Sequence, residues 1–127
     1  MFKHKKKYIL EIFSVSLLLI FVFGPFNSQV LAESGDLSQK LVERIAKDYT
    51  NKFCNSIAFG LSKESAMAFS NKENNLIFKK KKGIDSIDKK LLARKISTLV
   101  VETCGYPISL KGEEGINEFE EKYISMN

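Results

Sequence analysis

The stretch LSQKLVERIAKDYTNKFCNSIAFG, residues 37–60, decides how this chain folds. Leu41, Ile45, Tyr49, Phe53 and Ile57 recur at every fourth position, and Val42 and Ala46 widen the stripe. Lys40, Glu43, Lys47 and Lys52 fall on other faces. Side chains four apart stand one above the other on a helix, so the pattern predicts an amphipathic helix over about 37–59 with one apolar face. Ser34 or Asp36 suits its N-cap, and Gly60 suits a left-handed stop.

Outward from this helix the chain stays helical in period. LSKESAMAFSNKENN (61–75) predicts a short second helix, with Ser62 as N-cap, Glu64 favouring the dipole, and the Asn71–Asn75 cluster as its stop. LIFKKKKGID (76–85) reads as an extended or irregular connection. A third helix is expected from Asp85 or Ser86 to Cys104, burying Ile87, Leu91, Leu92, Ile96, Leu99, Val100 and Thr103 and ended by Gly105 and Pro107. A last helix over about 113–124 would bury Ile116, Phe119, Tyr123 and Ile124, with Gly115 weakening its first turn. The fold class is therefore all-α, a small bundle of three to four helices. The alternative gives Leu76–Phe78 and Ile108–Leu110 a role as two short paired strands.

The front of the chain bears on where it works. Lys3, Lys5, Lys6 and Lys7 form a positive start, and Ile12–Phe23 is apolar except for Ser14 and Ser16. Gly24-Pro25 breaks the run, and Val30-Leu31-Ala32 precedes Glu33. These are the parts of a secretory signal peptide, residues 1–32, cleaved between Ala32 and Glu33. The competing reading is an uncleaved anchor, but a spanning helix wants about 20 apolar residues and the clean run is shorter. Residues 33–127 then form one small domain able to bury a modest core. The whole chain carries a net charge of +5. Losing four lysines and Glu11 leaves sixteen basic and fourteen acidic residues, a net of +2. The basic balance thus belongs mainly to the signal and does not argue for a nucleic-acid partner.

The only histidine, His4, would leave with the signal. Cys–His and Ser–His–Asp nucleophile systems then have no base, a tetrahedral zinc site lacks ligands, and no C-x-x-C or Gly-rich phosphate loop is present. No cofactor or metal is implied. Glu113, Glu114, Glu118, Glu120 and Glu121 leave carboxylate catalysis formally open. The first two suit a helix N-terminus, and the rest follow a polar face. Lys79, Lys80, Lys81 and Lys82 are the one concentrated basic patch, a solvated loop or a weak contact for an anionic surface.

An exported chain with two cysteines most often joins them. Cys54 lies roughly 26 Å along the first helix and Cys104 roughly 27 Å along the third. If those helices run parallel with the second returning between them, the cysteines meet at one level, each at the edge of an apolar stripe. Closing a loop of about 50 residues stabilises by roughly 4 kcal/mol in the chain-entropy model.

FCNSIAFGLSKESAMAFS (53–70) and VVETCGYPISLKGEEGINEF (100–119) resemble small uncharacterised exported proteins of cyanobacteria, including Lys/Asn-rich picoplanktonic forms. That resemblance implies a thylakoid-lumen or periplasmic address and an accessory role near a membrane complex, and it brings no functional residue. The expectation is an exported domain that is not an enzyme and acts by binding a protein partner at the lumenal or periplasmic face of a membrane assembly. Two alternatives belong to other classes. One is a carrier of a small apolar ligand lined by Phe53, Ile57, Phe59, Met67, Phe69 and Phe78. The other is an enzyme using the glutamates.

Overall fold

The computed structural model of the 127-residue chain describes the backbone from Ser28 and the side chains from Gly35 to Asn127. The positive start and apolar run assigned to a signal peptide lie outside these residues. The chain divides into two compact units, Met1–Ser34 and Gly35–Asn127, and every buried core residue described below belongs to the second. Among the described residues there are four α-helices, two single 3-10 turns and no strand. The helices are α1 Ser28–Ala58, α2 Lys63–Phe78, α3 Lys89–Cys104 and α4 Gly112–Ser125. The two segments weighed as strands are otherwise placed. Leu76–Phe78 is the last turn of α2, and Ile108–Leu110 leaves a 3-10 turn, Tyr106–Ile108.

α1 begins nine residues earlier than the periodicity predicts. No proline interrupts 28–37, and one internal glycine, Gly35, costs about 1 kcal/mol against a helix already propagating. Asp36 is consequently not a cap. It lies one turn before Lys40 and pairs with its ammonium at 2.6 Å. The C-terminal end matches expectation. Gly60 sits at φ +92°, Gly60 N–H donates to Ile57 O at 3.0 Å, and Leu61 N–H donates to Ser56 O at 3.0 Å. That pair of bonds is the Schellman arrangement, which satisfies the last helical carbonyls.

Ser62 caps α2 as expected, its Oγ accepting from Ser65 N–H at 3.2 Å. The asparagines do not stop this helix. Asn74 faces α1 and donates through Nδ2 to Ile45 O at 3.1 Å and to Asp48 Oδ2 at 3.0 Å. One turn later Phe78 is buried with Leu41, Val42, Ile45 and Ile87. A tertiary anchor at each of these turns outweighs the weak local preference of asparagine for turns. α3 starts later than predicted because Ile84–Ser86 forms its own 3-10 turn. Asp88 is the cap, with Oδ1 accepting from Lys90 N–H at 2.9 Å and Leu91 N–H at 3.0 Å.

Three sets of contacts fix the topology. Asn74 meets Ile45 while Ala66 and Met67 join the cluster of Phe53, so α2 runs antiparallel to α1. A Cβ on Gly83 would lie 3.9 Å from Leu41 Cδ2, and Cys104 meets Cys54, so α3 runs parallel to α1. Tyr49 meets Tyr123 with ring centres 5.3 Å apart, and Phe53 meets Phe119 at 5.1 Å, both edge to face, so α4 runs antiparallel to α1. The bundle is up, down, up, down. Its central cluster joins Tyr49, Phe53, Met67, Ile96, Val100, Leu110 and Phe119. The second cluster, around Leu41 and Phe78, closes the end opposite the cysteines.

The buried face of α3 is rotated from the one predicted. Ala93, Ile96, Ser97 and Val100 point inward, Leu92 and Leu99 are half-buried, and Leu91 and Thr103 are exposed. Small residues at 93 and 97 let the helix approach the aromatic cluster closely. Ser97 Oγ is satisfied by Ala93 O at 2.7 Å, so it enters the core without an unpaired hydroxyl. α4 buries Phe119 and Tyr123 as expected, while Ile116 is half-buried and Ile124 exposed. Its third buried position is Gly115, where a Cβ would stand 2.9 Å from the Leu110 carbonyl carbon. This glycine permits contact between α4 and the incoming loop.

Candidate functional site

Four regions could carry function, and the disulfide end is the first. Cys54 and Cys104 are bonded to each other, with Cα atoms 5.7 Å apart, and no other cysteine exists in the chain. Both are half-buried at the margin of the central cluster. A bonded pair offers no thiolate, so its role is to hold α1 to α3. The expected cleavage position, Ala32–Glu33, falls within the helical backbone of α1, and its side chains lie outside those described.

Just beyond Cys54 is a feature that the periodicity does not anticipate. Phe59 follows Ile57 by two residues, which turns it to the opposite side of the helix, and it is 86% exposed. With Leu61 and Phe69, the latter 46% exposed, it lines a shallow apolar groove floored by Lys52, Asn55 and Ser56. The Schellman turn at Gly60 and the Ser62 cap hold the two sides of this groove in register. Ser56 Oγ turns inward to Lys52 O at 2.8 Å, which leaves the groove wall largely apolar. An aromatic residue out of phase at a helix terminus is the sequence signal that would have found it.

Two glutamates of α4, Glu113 and Glu120, converge on a cation rather than forming a free carboxylate pair. Arg94, one turn after the start of α3, bonds Glu113, Asn117 and Glu120. Its Nη1 donates to Asn117 Oδ1 at 2.7 Å and to Glu120 Oε2 at 3.1 Å, and its Nη2 pairs with Glu113. These bonds, to Glu113 first, hold the guanidinium still further above its ordinary range. Lys63 Nζ pairs with Glu118 at 2.8 Å. Glu114 and Glu121 are exposed. Each paired carboxylate thus ties α4 to a neighbouring helix, Glu113 and Glu120 to α3 and Glu118 to α2. Among the described residues no three metal-ligating side chains cluster.

The residues proposed for an apolar ligand are likewise dispersed. Phe53 and Met67 are wholly buried in the central cluster, Phe78 is buried in the other, Ile57 is half-buried, and Phe59 and Phe69 are at the surface groove. Phe59 and Phe69 line one groove together, while Phe53 and Phe78 belong to different core clusters. Lys79–Lys82, by contrast, remain together, all exposed directly after the last turn of α2.

Deep in the bundle, Tyr49 Oη, Thr50 Oγ1 and Ser70 Oγ have no hydrogen-bond partner among the described groups. Burial pushes the Tyr49 phenol well above the usual tyrosine range, with Tyr123 nearby adding to it, and burial alone pushes Tyr123 up to about 12. Both stay neutral at any physiological pH, so neither serves there as a base. No protein-family model, no curated protein and no solved structure matches this chain. No helix among the described residues is long and apolar enough to cross a membrane.

Proposed function

We propose that this chain is an exported helical domain that works by binding, as an accessory or structural factor at the lumenal or periplasmic face of a membrane assembly. The observation that carries the reading is the Phe59–Leu61–Phe69 groove beside the disulfide. A phenylalanine 86% exposed in the turn that follows α1 is costly to leave in water and is of the type that anchors protein interfaces. The partner would insert an apolar side chain between Phe59 and Phe69. The cysteine bridge favours an oxidising compartment, and the N-terminal segment has the composition of a signal.

The carrier alternative keeps two of its six residues at this groove, Phe59 and Phe69. An open, shallow groove suits a side chain from a partner better than a small molecule that needs enclosure. The enzyme alternative would rest on glutamates that are tied to Arg94 and Lys63 or exposed singly.

The test is co-purification from native membranes of the source cell, comparing wild type with Phe59→Ser. A stoichiometric partner that is lost in the variant supports the reading. A wild-type protein recovered only as a free monomer overturns it, and so does a partner retained equally by both proteins.

A further inference from the structure

The end of the bundle opposite the cysteines carries a second exposed surface of different chemistry. α2 closes with Leu76 and Ile77, 56% and 45% exposed, on the turn whose inward residue is Phe78. Lys79, Lys80, Lys81 and Lys82 follow at once, then Gly83 at φ +87°. Gly83 would touch Leu41 through a Cβ, which places this turn beside the early part of α1 and the exposed Leu37. Lys89 and Lys90 open α3 nearby. Six lysines thus stand against two aspartates between Lys79 and Lys90, and Asp88 is committed to capping α3. None of Lys79–Lys82 pairs with a described acidic group.

We infer that this end of the bundle rests on an anionic phospholipid surface, with Lys79–Lys82 at the headgroups and Leu76 and Ile77 entering the interface between them. Two observations select this occupant over an acidic protein. The lysines are consecutive and all exposed, so they offer a spread of positive charge rather than one pocket. Apolar side chains, Leu76 and Ile77, adjoin them, as in interfacial helices. The lysines also lie at a helix C-terminus, where the dipole favours positive charge and lets four cations sit side by side. The inference goes beyond the groove-binding reading and rests on other residues at the other end of the bundle, so either can fail without the other.

The electrostatic gain is estimated per residue. A basic side chain near an anionic leaflet adds roughly fivefold to the partition coefficient, and four together add up to several hundred-fold when all lie within a Debye length. The probe is the Gly35–Asn127 unit, which contains the entire described core and the disulfide, added to vesicles of phosphatidylglycerol mixed with phosphatidylcholine and to phosphatidylcholine alone. Sedimentation should show binding to the anionic vesicles only. That binding should fall steeply as salt rises from about 0.15 M to about 1 M, where the Debye length shrinks from about 8 Å to about 3 Å. Replacing all four lysines with glutamine should cut the partition at least tenfold, and replacing them with arginine should restore it. Ile77→Ser should lower the partition while leaving its salt dependence unchanged. A thermal melt of each variant verifies that the bundle is intact, as expected for exposed positions. Failure of the wild-type unit to bind, equal binding to neutral vesicles, or a glutamine variant that binds like wild type would each overturn the inference. Phe59→Ser should leave every vesicle measurement unchanged, which separates this surface from the partner groove.

Discussion

Removing the Cys54–Cys104 bridge tests most directly what holds this bundle together. The bond closes a loop with a sequence separation of 50. In the chain-entropy model the open loop adds about 14 cal/mol/K to the unfolded chain, or about 4 kcal/mol at 25 °C. Small domains are stable by only about 5–15 kcal/mol in all, so the double variant C54A/C104A should lose a large fraction of its stability. For a unit of this size each kcal/mol moves the melting temperature by about 4–8 °C. The expected drop is therefore about 15–30 °C, read by circular dichroism on oxidised wild type, reduced wild type and the double variant. Urea titration separates the cause. If the bridge acts on the unfolded ensemble, its removal lets that ensemble expand and the denaturant slope rises. Loss of native packing at two half-buried side chains would leave the slope unchanged. A melting temperature within a few degrees of wild type, with an unaltered slope, would refute the entropic account and give the helical interfaces the whole of the stability.

Other perturbations probe the interfaces singly. Gly115→Ala should destabilise by about 1–2 kcal/mol, although alanine is the better helix former by about 1 kcal/mol, because the new methyl meets Leu110 backbone at 2.9 Å; a stabilised variant in a urea melt would show that the loop yields freely. Phe119→Ala should cost about 3–5 kcal/mol by the same assay, since the ring is buried and packs edge to face on Phe53. Leu91→Ala should stay within about 0.5 kcal/mol, because that leucine is half exposed. At alkaline pH the unfolded Tyr123 phenol ionises near its ordinary value of about 10 while the folded one stays protonated to about 12. The unfolded state then binds fewer protons, so stability should fall from about pH 10 upward, by roughly 2–3 kcal/mol by pH 12, with Tyr49 acting in the same sense. Tyr123→Phe should flatten that fall, and a stability that rises with pH over this window would contradict the burial argument.

Much of the fold was legible because single residues with strong preferences punctuate it. The fourfold repeat of Leu41, Ile45, Tyr49 and Phe53, the Gly60 stop and the Ser62 cap all follow from local rules, whereas the parallel run of α1 and α3 is a supposition that lets the cysteines meet and that the bridge bears out. Several of the failures share one cause, a local signal overridden by a distant contact. Asn71–Asn75 reads as a breaker until Asn74 is seen bonding Ile45 O across the helix interface. Leu91 and Leu99 outrank Ala93 and Ser97 in hydrophobicity, yet α3 needs small residues where it meets the aromatic cluster. Gly115 reads as a flaw in a helix until Leu110 is found against it. The candidate surfaces were less legible than the core. Phe59 is invisible to a periodicity argument because it lies off the stripe, and Arg94 gains its meaning only from the glutamates that α4 brings to it.

The two exposed surfaces owe their separation to the register of α1 against α2. Asn74 lies between two helices that are otherwise joined by interchangeable apolar contacts, and its amide meets one specific carbonyl and one specific carboxylate, Ile45 O and Asp48 Oδ2. Asp48 is itself paired with Lys52, so the amide joins a network whose members are already placed. A slip of α2 by one turn would bury that amide without partners, at a cost of about 1–3 kcal/mol, whereas apolar neighbours alone would tolerate it. The bridge at the far end joins α1 to α3 and adds nothing to this constraint, which Asn74 shares with the Gly60 turn and the Ser62 cap. Asn74 therefore does for α2 what the cysteines do for α3. With both in place, the Phe59–Phe69 groove is held at one end of the bundle and Lys79–Lys82 at the other.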